Sequence, residues 1–335
     1  MSMDTERKQG RFVFLRRLAG AAVLFVLTVL LSAGCGQAPE AGRQYKVYFI
    51  AKSLDTQFWM SAVAGANAAR SEYNIELLVM GPDTEEDYEE QNAFIRRAVA
   101  ERADAIIFSA ISYTENAAAI DEAADAGVKI VVIDSDVDSE KVSARIGTDN
   151  ILAGRMTAAA ALDTDEEEIF AGIVNFDLGS RNGQEREQGL RQALQEDARV
   201  KSVSTVNVPT SAIAARTGAE ILLSEHPEIN VLIGLNEPLA VGVGLAVEEL
   251  GLKDSVRAVG FDTNINCVDM MRDGVMDALI AQNPYAMGYL GVETAWSLIE
   301  GLEYDPHSLI DTSTTIVDRD NMFSEEGQRA LFAFE

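Results

Sequence analysis

Histidine and cysteine are nearly missing from this chain, with two of each in 335 residues. His226 and His307 stand in loop contexts, "SEHPEIN" and "YDPHSL", with no metal-ligand spacing and no nucleophile beside them. That gives no basis for a histidine-centred hydrolase or a Cys/His metal site, and neither metal nor cofactor is expected. The cysteines are Cys35 and Cys267; if Cys35 is otherwise engaged, Cys267 has no partner and no disulfide supports the fold. A chain of this length buries a sufficient core without one. Basic residues are also scarce, 27 Lys and Arg against 54 Asp and Glu, for a formal charge of −27. Such a field repels nucleic acid and anionic lipid. A glycine-rich phosphate loop is lacking too: "VGVGLAVEEL" offers Gly242 and Gly244 without a third glycine, inside a helical pattern after Pro238.

What is present begins with an address. "MSMDTERKQGRFVFLRRLAGAAVLFVLTVLLSAGC" has a basic start, an apolar run from Ala19 to Leu31, and small residues before Cys35. Residues 1–35 read as a lipoprotein signal, with Cys35 as the acylated N-terminus of the mature chain. Ser32 stands where such signals usually carry leucine, so an ordinary signal or an uncleaved anchor is the alternative. Residues 36–44, "GQAPEAGRQ", read as a linker. Removing the five basic and two acidic residues ahead of Cys35 takes the charge from −27 to −30. The body is therefore expected outside the cytoplasmic membrane, touching it through the lipid alone.

From Tyr45 onward, short apolar runs alternate with amphipathic stretches. Nine strands are expected at "KVYFIAKS", "IELLVMG", "AIIFSA", "KIVVIDS", "IFAGIVNF", "SVSTVNVP", "VLIGLN", "RAVGFD" and "ALIAQN". Continuous Val/Ile runs separated by helical patterns of 10–18 residues mean βαβ units whose parallel sheets are covered on both faces. Nine such strands in some 240 residues fit two doubly wound α/β sheets better than one. The series divides near "ARIGTDN". The expected organisation is one lobe of residues 45–148 plus 284–309 and a second of 149–283 plus 310–335.

In open α/β sheets, ligands bind outside the carboxyl ends of the strands. Read in order, those ends are Ser53, Ser109, Asp134, Asn236, Asp262 and Gln282. Any one of them could be a helix cap or turn residue. Six from two sheets, including two carboxylates and two amides, suit a solute rich in hydroxyls, each of which must be met by a partner when buried. The stretch "LDTQFWMSAVAGANAAR" adds Phe58 and Trp59 at the mouth of a helix of small residues, beside the first strand end. Their rings either staple the helix into its own core or cover the apolar C–H face of a sugar. Asp134 and Asp262 could formally act as a glycosidase pair. Their strand-end settings suit holding hydroxyls better than raising a pKa, so no enzyme is expected.

With these residues in view, the chain from Lys46 to Met322 resembles the type I periplasmic sugar-binding proteins, the ribose-binding-protein-like receptors of ABC importers, whose fold is shared with the lactose-repressor core. The stretches that carry the resemblance are "DTQFW", "ADAIIFSA", "KIVVIDSD", "IGTDN", "EREQGL", "GLNEPLAVG", "VGFDTN" and "LIAQNPYAMGYLGVE". It implies two Rossmann-like lobes joined by a three-strand hinge, and a sugar delivered to a membrane permease by a monomeric receptor. A sensory receptor docking to a chemoreceptor or histidine kinase is the alternative. By resemblance, Phe58 and Trp59 are the paired stacking aromatics, Asp134 the hydroxyl-binding aspartate and Ser109 a cleft residue. Arg186, Asn236, Asp262 and Gln282 are implied as the ligand arginine, amide, carboxylate and hinge-side glutamine. Thr56 replaces the family's asparagine before the aromatics, and Ser135 replaces an arginine after Asp134. With one guanidinium fewer, the departures point away from ribose toward another sugar or a modified polyol.

Overall fold

A computed structural model describes residues 44–332 apart from residue 177. Cys35 and the signal and linker readings lie outside the described residues, save for Gln44 at the linker's end. Two six-stranded sheets organise the body. The first is ordered β11-β5-β4-β3-β1-β2 and the second β12-β10-β9-β8-β6-β7. Their strands are β1 (Tyr45–Ile50), β2 (Ile75–Met80), β3 (Ala105–Phe108), β4 (Lys129–Ile133), β5 (Ala144–Gly147) and β11 (Leu309–Asp311), then β6 (Ile169–Asn175), β7 (Val200–Asn207), β8 (Val231–Gly234), β9 (Arg257–Phe261), β10 (Ala278–Ala281) and β12 (Thr315–Asp318).

Helices cover the sheets, and the alternation of side chains along a strand decides which core each residue joins. In β1, Val47 and Phe49 face the core that holds Trp59, Ala62 and Met287. Tyr48 and Ile50 face the other core, with Ile95 and Ile120. The first core lies under α1 (Gln57–Glu72) and α9 (Pro284–Ile299), the second under α2 (Tyr88–Ala100) and α3 (Ala117–Asp125). The second sheet is covered by α4 (Asn150–Leu162), α5 (Arg181–Glu196), α6 (Ala212–Glu225), α7 (Glu237–Glu249) and α8 (Ile265–Arg272), with α10 (Glu325–Leu331) against β12.

The small residues of α1 are explained by close helix packing. A Cβ on Gly65 would stand 2.1 Å from the Tyr285 carbonyl oxygen, and one on Gly288 would stand 1.8 Å from that of Ala62. The backbones of α1 and α9 thus approach closer than any larger residue allows. The second lobe repeats this with α4 and α5, where Gly154 faces the Arg186 carbonyl and Gly189 that of Ile151, each at 2.1 Å.

The chain passes between sheets three times, after β5, after β10 and after β11. Hydrogen bonds tie the crossings together: the Gln282 side chain donates through Nε2 to Thr148 Oγ1 at 2.7 Å, and the Thr312 backbone N–H donates to the Gly147 carbonyl at 2.9 Å. The last crossing follows Asp311, because β11 pairs with β5 through residues 309–311. That keeps Ile310 and Asp311 in the first lobe rather than the second.

Two expectations need correction. The nine anticipated strands are joined by β5, β11 and β12, each of three or four residues. Nor are the sheets wholly parallel, since β12 runs antiparallel to β10. The first two crossings lead into helices that carry the chain back to the far edge. The third has only residues 312–314, so β12 enters the second sheet from its carboxyl edge and must run in reverse.

Candidate functional site

The carboxyl ends of both sheets meet around a small hollow. Of the anticipated residues, Phe58, Trp59, Asp134, Arg186, Asn236, Asp262 and Gln282 line it. Ser109 does not. It is fully buried one layer behind, where its hydroxyl donates to Asp134 Oδ2 at 3.0 Å. Ser53 is also buried away from the hollow, and its hydroxyl has no hydrogen-bond partner among the described residues. Its neighbour Lys52 lines the hollow instead, because successive residues at a strand end point to opposite sides.

Asp134 and Asp262 follow β4 and β9 directly and adopt the same uncommon backbone. Their φ angles are 57° and 68°, in the left-handed region that non-glycine residues rarely enter. Each donates its N–H to a carbonyl of the adjoining strand, Asp134 to Ile146 at 3.0 Å and Asp262 to Ile280 at 2.9 Å. Aspartate tolerates this conformation better than bulkier residues do. Strain of this kind concentrates at functional sites.

Around Asp134 the polar groups are dense. Asn182 Nδ2 donates to both carboxylate oxygens at 3.1 Å, Arg186 Nη2 stands 3.7 Å away and Lys52 Nζ 3.9 Å. Lys52 also donates to Ser180 Oγ at 2.9 Å and Asn182 Oδ1 at 3.2 Å. Lys52 and Asp134 belong to the first sheet's strand ends and Asn182 to the second lobe, so this cluster bridges the lobes.

Arg186 is 2% exposed and held on every side. Nε donates to Asn150 Oδ1, Nη1 to the Leu235 carbonyl and Nη2 to Gln282 Oε1, each at 2.9 Å. Its guanidinium carbon lies 4.1 Å from the centre of the Phe261 ring, a favourable place for a cation. Burial pulls the guanidinium below its ordinary pKa, while Asp262 and Asp134 oppose that shift.

Asp262 is different. It is 6% exposed and its Oδ1 has no hydrogen-bond partner among the described residues. Burial pushes its pKa up to about 8, against the pull of Arg186 and with the added repulsion of Glu237 and Asp134.

The aromatics serve two ends. Trp59 belongs to the first lobe's core and also lines the hollow, meeting Phe58 edge to face at 5.0 Å. Its indole N–H donates to Glu85 Oε1 at 2.7 Å, and burial raises the Glu85 carboxyl. Asn236 likewise lines the hollow and caps α7, accepting from the Leu239 N–H at 3.1 Å. Thr56 caps α1 through the Trp59 N–H at 3.3 Å.

Sequence reasoning passed over Lys52, Glu85, Phe176, Asn182 and Glu237, which also line the hollow. Two left a signal: Lys52 and Phe176 each end a buried apolar run. The cation expected to be missing at Ser135 is matched in number by Lys52, although an ammonium lacks the guanidinium fork. Among the described residues no His, Cys, Asp or Glu group is arranged to hold a metal ion.

Comparison with known proteins gives this geometry its context. Residues 47–303 match the model of the periplasmic binding protein domain. A D-ribose/D-allose-binding protein of Pseudomonas aeruginosa is 27% identical over 90% of this chain and 97% of its own. A carbohydrate transporter solute-binding protein of Agrobacterium radiobacter, solved in complex with D-arabinose, superposes with a TM-score of 0.83. It is 26% identical and covers 86% of this chain and 99% of its own. A sugar transporter protein of Clostridium phytofermentans is 32% identical, with a TM-score of 0.75 over 83% of this chain and 100% of its own. Paired doubly wound lobes, three crossings and a shared hollow at the strand ends are thus those of a known architecture, and the chain belongs to the periplasmic binding protein family.

Proposed function

We propose that this chain is an extracytoplasmic receptor that captures a monosaccharide between its lobes and presents it to an ABC importer. The observation that carries this reading is the buried Oδ1 of Asp262, without a partner among the described residues, in a hollow also lined by Asp134, Arg186, Asn236 and Gln282. A buried acceptor without a donor is costly, and a sugar hydroxyl supplies that donor. Phe58, Trp59 and Phe176 provide apolar surface for the C–H faces of a ring. Asp134, Arg186, Asn236 and Gln282 then meet hydroxyls at its rim, with Ser109 steadying Asp134 from behind. No chemistry is performed on the solute.

Closure follows from differential affinity. An open form offers a sugar one lobe and the closed form offers both, so the sugar shifts the population toward closed. The relatives named for ribose, allose and arabinose make pentoses and hexoses the first solutes to try. A lipid on Cys35 would hold a monomeric receptor at the membrane, beside the permease.

The test is a thermal-shift panel of D-ribose, D-allose, D-arabinose and other sugars and polyols, followed by calorimetry on any that respond. Ligand at a hundredfold over Kd adds about 2.7 kcal/mol of stability, a shift of several degrees. A melting temperature that no sugar or polyol moves would overturn the reading.

A further inference from the structure

Glu237 opens α7 in the second lobe, directly after the Asn236 cap, and is 5% exposed. Its carboxylate does not serve its own helix. Oε1 accepts from the Gln57 N–H at 3.1 Å and Oε2 from the Phe58 N–H at 2.6 Å, both in the first lobe. These are the first two amides of α1, donors without partners inside the helix, at its positive end. Thr56, the cap of that helix, serves the Trp59 N–H and leaves these two amides to Glu237. Within the second lobe, Asn264 Nδ2 donates to Glu237 Oε1 at 2.7 Å and fixes the carboxylate's aim.

The exchange runs the other way as well. Gln57 Oε1, in the first lobe, accepts from the Ile265 N–H at 2.8 Å, which is the first amide of α8 in the second. Each lobe therefore caps a helix of the other. We infer that this reciprocal capping is a clasp that sets how firmly the lobes shut, with Glu237 as its positioning residue.

Two consequences follow for capture, and these rest on the proposed reading of the hollow. Because the Phe58 amide is one of the clasped groups, closing the clasp also fixes the aromatic platform against the lobe that carries Asp262. A solute that holds the lobes apart by more than a hydrogen bond's reach forfeits the clasp, so the clasp discriminates against bulk. Bonds to a charged acceptor are the strong ones, and losing one is worth roughly tenfold or more in an equilibrium. Apparent affinity falls by the fraction of molecules no longer able to close.

The experiment reads interlobe distance directly, by energy transfer between dyes placed one on each lobe, in the protein without any sugar. The wild type is compared with Gln57→Ala, Glu237→Gln and Glu237→Ala. The open population should rise in that order, with a fall of at least about tenfold in the closed-to-open ratio for Glu237→Ala. Glu237→Gln keeps one acceptor oxygen for two amides and falls between. Gln57 is partly exposed and does not line the hollow, so its variant tests the clasp even if the Glu237 variants fold poorly. Identical distance distributions in wild type and Gln57→Ala, all open or all closed, would overturn the inference. No sugar enters this measurement, so it can fail while the sugar panel succeeds, or succeed while the panel fails.

Discussion

Asp134 and Asp262 occupy equivalent places in the two lobes and have been given opposite tasks. Both follow a central strand, both sit at positive φ, and both donate their N–H to the adjoining strand. Asp134 already accepts from Ser109 and Asn182, with Lys52 and Arg186 close by. Asp262 keeps one oxygen without a partner, and burial leaves its carboxyl with a pKa of about 8. The same backbone device thus holds a well-partnered hub in one lobe and an open valence in the other. What separates them is the set of neighbours: Asp134 receives Asn182 from the opposite lobe, whereas Asp262 has the carboxylate of Glu237, from its own lobe, nearby.

The most damaging change should be Arg186→Met. It would strand Asn150, the Leu235 carbonyl and Gln282, and remove the guanidinium nearest both aspartates. Breaking a buried charged network costs about 3–5 kcal/mol, and urea unfolding of the protein reads it. A loss below about 1 kcal/mol would mean that the aspartates do not depend on this shared cation.

The two aspartates should then part company. Asp134→Ala leaves Asn182 and Ser109 without their acceptor and should cost about 2–3 kcal/mol by denaturant midpoint, as well as sugar binding. Asp262→Asn removes a carboxyl that burial disfavours when charged, so the variant should lose no stability and should gain it as pH rises toward 8, while calorimetry finds tight binding gone. Equal stability losses from both would erase the distinction between hub and open valence.

Taken per unit of pH, the smallest effect is the titration of Asp262. The folded pKa of Asp262 lies near 8, above its ordinary value of 3.8, so between these values the folded protein holds a proton that the unfolded chain has released. The stability from this group is full at acid pH and is lost as pH rises through that window, at about 1.4 kcal/mol per unit or less. Unfolding midpoints at a series of pH values, compared between wild type and Asp262→Asn, isolate the slope. A slope unchanged in the variant would assign it to other groups.

Much of the fold was legible because its signal is local. Each of the nine expected strands is an apolar run that ends up buried or half-buried in a sheet, and the alternation of these runs with amphipathic helices dictates parallel pairing. β11 and β12 were not legible. Their residues are largely exposed or half-buried, and only pairing with β5 and β10 makes them strands. At the site, strand-end polar residues mark the right edge, yet Ser53 and Lys52 are adjacent and only the pleat decides which of them faces the hollow. Glu237 reads as an ordinary acidic first residue of a helix, complementing its own dipole. Its partners lie about 180 residues away, at amides that no side-chain pattern records.

The sequence by itself determined the class of the molecule: Val/Ile runs at helical separations permit little besides two covered parallel sheets, and polar strand ends aim their chemistry at one edge. Tertiary structure decided which groups meet there. The helix pairs α1 with α9 and α4 with α5 close to backbone contact at paired glycines, and the latter pairing sets Arg186 beside the hinge-side Gln282. Whether a carboxylate is well partnered, as Asp134 is, or left wanting a donor, as Asp262 is, depends on groups brought from distant segments. The reason is one of range. Burial patterning acts over a few residues along the chain, whereas a hydrogen bond is satisfied within about 3 Å in space, wherever in the sequence its partner lies.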